Sequence, residues 1–328
     1  MVDGKAHYDA LLAATKDMPV PAPTGAYHDP ASFNHKFATV SGGFRYHYVE
    51  EGDPSAPTIL MVHGFPDLWY GWRHQIRHLA SQGYHVIAVD TLGYGQTDAP
   101  KVELDKLHPY STKNVCAQIC GLLDVLNIPK VIILGHDWGG AIVWRFADFH
   151  PDRVKAVISV CTPTTPLMDT FVPIEVIAMA NPDFAYQIFF SDPATTELLD
   201  GKIREFLFTA LRFSGLHDEE LDYYVQEFSR NGFHGPLNYY RTRQLNYEDE
   251  LPLPRQTKRP HPSCLIVASH DPVLKPALSE NMGQQFESFE RVFVTAGHFA
   301  LTENPKEVNA ALDAYLAKLL PEGPKAKI

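Results

Sequence analysis

At 328 residues the chain is long for one simple domain and short for two full ones. Hydrophobic residues make up 45% and charged residues 20%, an ordinary balance for a globular enzyme with a sizeable buried core. The formal charge of −11, with the basic residues scattered, excludes a nucleic-acid stripe and a polybasic membrane anchor, and it argues against anionic partners.

Residues 1–40 are rich in Pro and polar side chains around an apolar cluster at 10–14, and they read as a lead-in arm. They lack the uninterrupted apolar run of a signal peptide, and no stretch of the chain is long and apolar enough to span a bilayer. From there on, short β-branched runs at 44–49, 58–62, 84–89, 131–134, 154–160, 264–268 and 291–295 alternate with helical spacing, as at 113–126 and 140–149. Continuous apolar runs such as Val131-Ile132-Ile133-Leu134 suit strands covered on both faces. Strand–helix alternation predicts an α/β fold with a mostly parallel, doubly wound sheet.

The alternation stops near Cys161 and resumes near Cys264. The aromatic-rich stretch between carries helical patterns, including one at 218–228 stopped by Gly232, and Pro236 fits the first turn of another helix. The expected organisation is a core of residues 41–161 and 260–328 with an inserted helical cap at 162–259. Such a cap would lie over the carboxyl ends of the strands, where open α/β sheets bind ligands.

The chemistry centres on Gly135-His136-Asp137-Trp138-Gly139-Gly140, which follows an apolar strand and opens a helical stretch. This is the setting of a nucleophile elbow, Gly-x-nucleophile-x-Gly, with Asp137 where many enzymes carry Ser. An Asp at this place also serves as an ordinary helix cap. As a nucleophile, a carboxylate is already ionised at neutral pH and displaces a leaving group from an sp³ carbon without a base, giving an alkyl ester. A histidine then activates water against that ester. Epoxides and alkyl halides are the substrates that carry such a carbon.

The expected chain order is nucleophile, acid, histidine. The strand at 264–268 leads into Ser269-His270-Asp271-Pro272, and the strand at 291–295 leads into Ala296-Gly297-His298-Phe299. Asp271 is therefore the candidate acid and His298 the candidate base, chosen from 16 histidines. The strand at 58–62 runs into His63-Gly64-Phe65-Pro66. The backbone N–H groups of Phe65 and Trp138 are the candidate oxyanion donors, with Gly64 allowing close approach and Pro66 suited to a cis bond. Trp69 and Trp72 fit packing better than pocket walls.

These motifs together resemble those of the soluble epoxide hydrolases of the α/β-hydrolase fold, from about Phe44 to the last helix, without the N-terminal phosphatase domain of the mammalian members. The resemblance implies two cap tyrosines that hydrogen-bond the epoxide oxygen. Tyr186-Gln187-Ile188-Phe189-Phe190 and Gly235-Pro236-Leu237-Asn238-Tyr239-Tyr240-Arg241 match the family's two contexts, which carries the roles to Tyr186 and Tyr240. By residue type alone, either would read as packing, since the chain has 15 tyrosines. Tyr239 would point about 100° away from Tyr240 on a helix.

The implied reaction needs only side chains, an epoxide and water, so no metal or organic cofactor is expected. A haloalkane or haloacid dehalogenase on the same scaffold is the nearest alternative, and the tyrosine pair weighs against it. A non-catalytic ligand sensor would be expected to have lost a catalytic element. Cys116, Cys120, Cys161 and Cys264 form no CxxC pair and read as thiols of a reducing, cytoplasmic setting. The terminal Ala326-Lys327-Ile328 is a variant of the peroxisomal tripeptide, or simply a polar tail.

Overall fold

The computed structural model describes residues 4–15, 19–255 and 258–324. The C-terminal tripeptide lies outside them. One eight-stranded sheet runs in the order β1-β2-β4-β3-β5-β6-β7-β8. Its strands are β1 His35–Thr39, β2 Arg45–Glu51, β3 Thr58–Val62, β4 His85–Val89, β5 Val131–His136, β6 Val154–Val160, β7 Ser263–Ala268 and β8 Phe289–Val294. β2 is antiparallel to both β1 and β4, and every other pairing is parallel. The sheet is thus α/β and mostly parallel, as the strand–helix alternation predicts.

β3, β4 and β5 are buried at every position, which is why they read as unbroken apolar runs. β1 lies within the stretch expected to be a lead-in arm. Its sequence, His-Lys-Phe-Ala-Thr, buries only Ala38 at the sheet's edge, so it carries too little apolar alternation to announce a strand. β8, the opposite edge, starts two residues before its apolar run because pairing with β7 draws in Phe289 and Glu290.

The helices follow in chain order as α1 Gly4–Thr15, α2 Arg73–Ser81, α3 Thr112–Val125 and α4 Trp138–Phe149, the last two close to the spans the spacing predicts. Between β6 and β7 come α5 Ile174–Ala180, α6 Tyr186–Ser191, α7 Ala194–Asp200, α8 Ile203–Leu211, α9 Asp218–Asn231, α10 His234–Arg241 and α11 Arg243–Glu250, with no strand among the described residues. α9 ends at Gly232, whose positive φ of 66° stops the helix. α12 Ala300–Glu303 and α13 Pro305–Leu319 complete the chain. None of these helices is long and apolar enough to cross a membrane.

Two contacts tie the helices between β6 and β7 to the rest of the chain. Arg73 of α2 donates from Nε and Nη2 to the Glu220 carboxylate of α9, at 2.6 and 2.9 Å, and both side chains are fully buried. Tyr8 of α1 stacks on Phe189 of α6 with ring centroids 4.6 Å apart and meets Phe190 edge-on.

The position of the site follows from the strand order. The chain steps from β3 to β4 on one side of the sheet, while β5 pairs with β3 on the other. The carboxyl ends of β3 and β5 therefore flank a switch point, where a crevice opens beyond the strands. Val62 pairs with Gly135, so the loops that leave these two strands start side by side.

Candidate active site

Asp137 sits between β5 and α4 with φ 52° and ψ −121°, a backbone conformation that L side chains seldom adopt. The glycines around it are required by contact. A Cβ on Gly139 would strike the Val62 carbonyl, and one on Gly64 would strike the Asp137 side chain itself. The Thr162 hydroxyl donates to the Asp137 carbonyl oxygen at 2.8 Å, fastening the elbow to the end of β6.

The carboxylate of Asp137 accepts a hydrogen bond at Oδ1 from the Phe65 N–H, at 2.7 Å. Its Oδ2 lies 3.4 Å from His298 Nε2. His298 Nδ1 in turn donates to Asp271 Oδ2 at 2.7 Å. Asp271 Oδ1 accepts the N–H groups of Val273 and Leu274, at 2.9 and 2.8 Å, which locks the carboxylate's orientation. The structure thus brings Asp137, His298 and Asp271 into one relay. The Trp138 N–H, the other candidate oxyanion donor, makes no hydrogen bond to Asp137 among the described residues, and its amide is the first of α4. The Phe65–Pro66 peptide is cis.

Burial and charge compete throughout this relay. Burial alone would raise the Asp271 carboxyl, but the charge and hydrogen bond of His298 outweigh it and hold Asp271 at about 2. Asp137 follows the same logic: burial pushes it up, and His298 with the Phe65 N–H pulls it below the ordinary carboxylate value. Burial would depress His298, yet the two carboxylates hold it well above the ordinary imidazole value. The resting relay is an imidazolium between two carboxylates.

Asp137, Trp138, Tyr186 and Tyr240 line one cavity of about 690 Å³. Tyr240 stands edge-on to Trp138, with centroids 5.1 Å apart, and Tyr186 edge-on to Tyr240 at 6.3 Å. Burial, reinforced by Asp137, raises both phenols, so they remain protonated donors at neutral pH. Tyr239 points elsewhere, its hydroxyl donating to the Leu92 carbonyl at 2.9 Å in the core. Trp69 and Trp72 are fully buried, and the Trp69 indole donates to Tyr223 rather than facing the cavity.

His63 stays outside the cavity. Its Nε2 accepts from the Thr91 N–H at 3.1 Å, so Nδ1 carries the proton that bonds the Gly64 carbonyl at 2.8 Å. It shapes the loop that presents Phe65.

Several supporting residues escaped sequence reasoning. His136 Nε2 and Cys161 Sγ both donate to the His298 carbonyl, at 2.7 and 3.3 Å. Cys161 does so from a positive φ of 67°. His136, Cys161 and His298 place ligand-type atoms within 4.8 Å of one another, but that shared carbonyl already engages the first two. Glu303 accepts the N–H of Phe299 at 3.0 Å, and that of Gly297, clamping the turn around His298. Asp67 accepts from the Tyr224 hydroxyl at 2.6 Å, and with His136 it borders a small cavity of about 10 Å³, room for one water molecule. The only signals for these residues are that His136 lies inside the elbow motif and that Asp67 directly follows Pro66.

The sequence profile of the alpha/beta hydrolase fold family matches residues 57–305. The chain is 34% identical to rat bifunctional epoxide hydrolase 2 over 92% of its own length, but it spans only 58% of that relative. It is 32% identical to epoxide hydrolase srdG of Neurospora crassa, covering 89% of this chain and 98% of the relative. Among solved structures, epoxide hydrolase A from Mycobacterium thermoresistibile superposes with a TM-score of 0.78 at 30% identity, over 90% of this chain and 100% of that one. Epoxide hydrolase VrEH1 from Vigna radiata gives 0.80 at 28% identity, over 89% and 100%.

Proposed function

Because this chain belongs to the α/β-hydrolase fold family, in its epoxide hydrolase branch, we propose that it converts epoxides and water into vicinal diols through an alkyl ester on Asp137. The observation that carries the reading is the Asp137–His298–Asp271 relay, whose Asp137 lines the same cavity as Tyr186 and Tyr240. In this reading residues 162–259 act as a cap that supplies both tyrosines.

In the first step Asp137 Oδ2 attacks an epoxide carbon, and the C–O bond of the strained ring breaks. The departing oxygen takes a proton from the Tyr186–Tyr240 pair, which donates without adding a competing carboxylate. Oδ1, held by the Phe65 N–H, becomes the ester carbonyl oxygen.

Alkylation removes the charge of Asp137, one of the two anions that hold His298 protonated. The imidazolium is then easier to deprotonate, and once its Nε2 proton has passed to the phenolate left by ring opening, His298 is a neutral imidazole and a competent base. It takes a proton from water, and the water oxygen bonds to Cγ of Asp137. Negative charge develops on Oδ1, where the Phe65 N–H stabilises it, and the Trp138 N–H is the second donor in this reading. The bond from Cγ to the alkyl oxygen then breaks, the diol leaves with an oxygen that came from Asp137 and the proton that His298 took from water, and the acid proton of the regenerated Asp137 carboxyl returns to His298, restoring the carboxylate and the imidazolium.

Diol formation from styrene oxide tests the reading, with Asp137→Ala expected to abolish it. A single turnover in ¹⁸O-water should place the label in Asp137 and leave the first diol unlabelled. Label in the diol after one turnover would mean that water attacks the epoxide directly.

A further inference from the structure

Two cations line the large cavity, and they are not equivalent. Arg145 donates from Nε to Glu250 at 2.6 Å and from Nη1 to Asp148 at 3.3 Å, and it also bonds Thr165. Its charge is neutralised, and so is that of Glu250, the one acid besides Asp137 on the cavity wall. Arg243 is different. Its Nε donates to the Val172 carbonyl at 2.8 Å, but among the described residues its Nη atoms donate no hydrogen bond and it makes no ion pair. Burial lowers its affinity for the proton, and Glu175 and Glu250 only partly offset this. The guanidinium is part-buried, and its Nη donors are left to face the cavity.

Its position is set by the backbone. α10 and α11 meet at Thr242, whose N–H closes α10 on the Asn238 carbonyl and whose carbonyl accepts the Asn246 N–H of α11. Arg243 is thus the first residue of α11, three positions after Tyr240, and both side chains line the same cavity. The same cavity wall includes the apolar side chains of Met168, Phe171, Ile177 and Leu278.

We propose that Arg243 makes this cavity selective for epoxides that carry a carboxylate, which pairs with the guanidinium while the oxirane lies between Asp137 and Tyr240. The proposal rests on the epoxide reading of the site. A carboxylate matches one guanidinium fork in charge and shape. A phosphate dianion would call for a second uncommitted cation, and Arg145 is already engaged. The chain's charge of −11 repels anions at long range, so Arg243 acts as a local device within the pocket.

The test compares 4-(oxiran-2-yl)benzoate with styrene oxide, which share a ring and an oxirane, in the wild type, Arg243→Met and Arg243→Lys. The ratio of kcat/KM for the acid to that for styrene oxide should fall about tenfold or more in Arg243→Met, mainly through KM, and be partly kept in Arg243→Lys. An unchanged ratio in Arg243→Met overturns the proposal. So does an equal loss in both variants, which would assign Arg243 to holding Val172 alone. Binding of benzoate and benzamide to the wild type, followed by tryptophan fluorescence, needs neither turnover nor a folded variant. Benzoate should bind at least several-fold more tightly, and equal binding overturns the proposal. If the wild type hydrolyses neither epoxide yet binds benzoate selectively, the epoxide reading fails and the anion site stands. Normal styrene oxide hydrolysis without any preference for the acid removes Arg243 alone.

Discussion

Asp137 keeps its charge in a buried place because one backbone donor and one imidazolium hold it, and the imidazolium in turn leans on Asp271. Asp271→Asn preserves shape but removes that anion. Ester hydrolysis should slow by on the order of a hundredfold or more, while alkylation is spared. Intact mass measured after mixing with styrene oxide should then show an adduct on Asp137, and an adduct-free variant with slow turnover would contradict the roles assigned. Tyr186→Phe and Tyr240→Phe should each slow alkylation by about tenfold to a hundredfold, seen as quenched tryptophan fluorescence in stopped flow, with the double variant slower than either. A double variant as fast as a single one would mean that one phenol does the work. The main actors are readable in the chain because a sharp turn needs glycine at fixed spacing, which flags Asp137, and because His298 and Asp271 each follow a strand. Thr162, Cys161 and Glu303 are not readable in this way. Their partners, the carbonyl of Asp137, the carbonyl of His298 and the amides of its turn, are brought to them by folding, and the residue types themselves are common.

At the scale of elements, the central strands announce themselves because both faces are covered, whereas the edge strand β1 does not and β8 shows only its later part. β1 alternates weakly because one face meets water, and α1 is recognisable only as a short apolar cluster. Nor does any local pattern indicate that α2 and α9 are joined by Arg73 and Glu220, both fully buried. Removing one partner strands the other charge without solvent. Glu220→Ala should therefore cost about 3–5 kcal/mol in urea unfolding, while Arg204→Ala, which breaks the exposed pair with Asp222, should cost under about 1 kcal/mol. Equal losses would mean that the buried pair is not an anchor between α2 and α9. The same pair fixes α9 against α2.

For the whole molecule, acid is the revealing perturbation. Asp271 is buried and held at about 2, below the ordinary aspartate value. A depressed carboxyl stabilises the fold fully above its ordinary pKa, and that contribution is lost as pH falls through the folded value. The loss should amount to about 2 kcal/mol between pH 5 and pH 2, read as a shift in the urea midpoint, and Asp271→Asn should lose correspondingly less. Equal acid sensitivity would mean that Asp271 is as poorly placed in the native state as in the unfolded chain. The packing of α1 on α6 carries a consequence of another kind. Tyr8 meets Phe189, Phe190 and Phe206, residues that leave the ribosome long after it does. During synthesis α1 has no surface to rest on until the chain past β6 has emerged. α1 is thus made before the surface it docks on, and the wait exposes Tyr8 to chaperones and proteases.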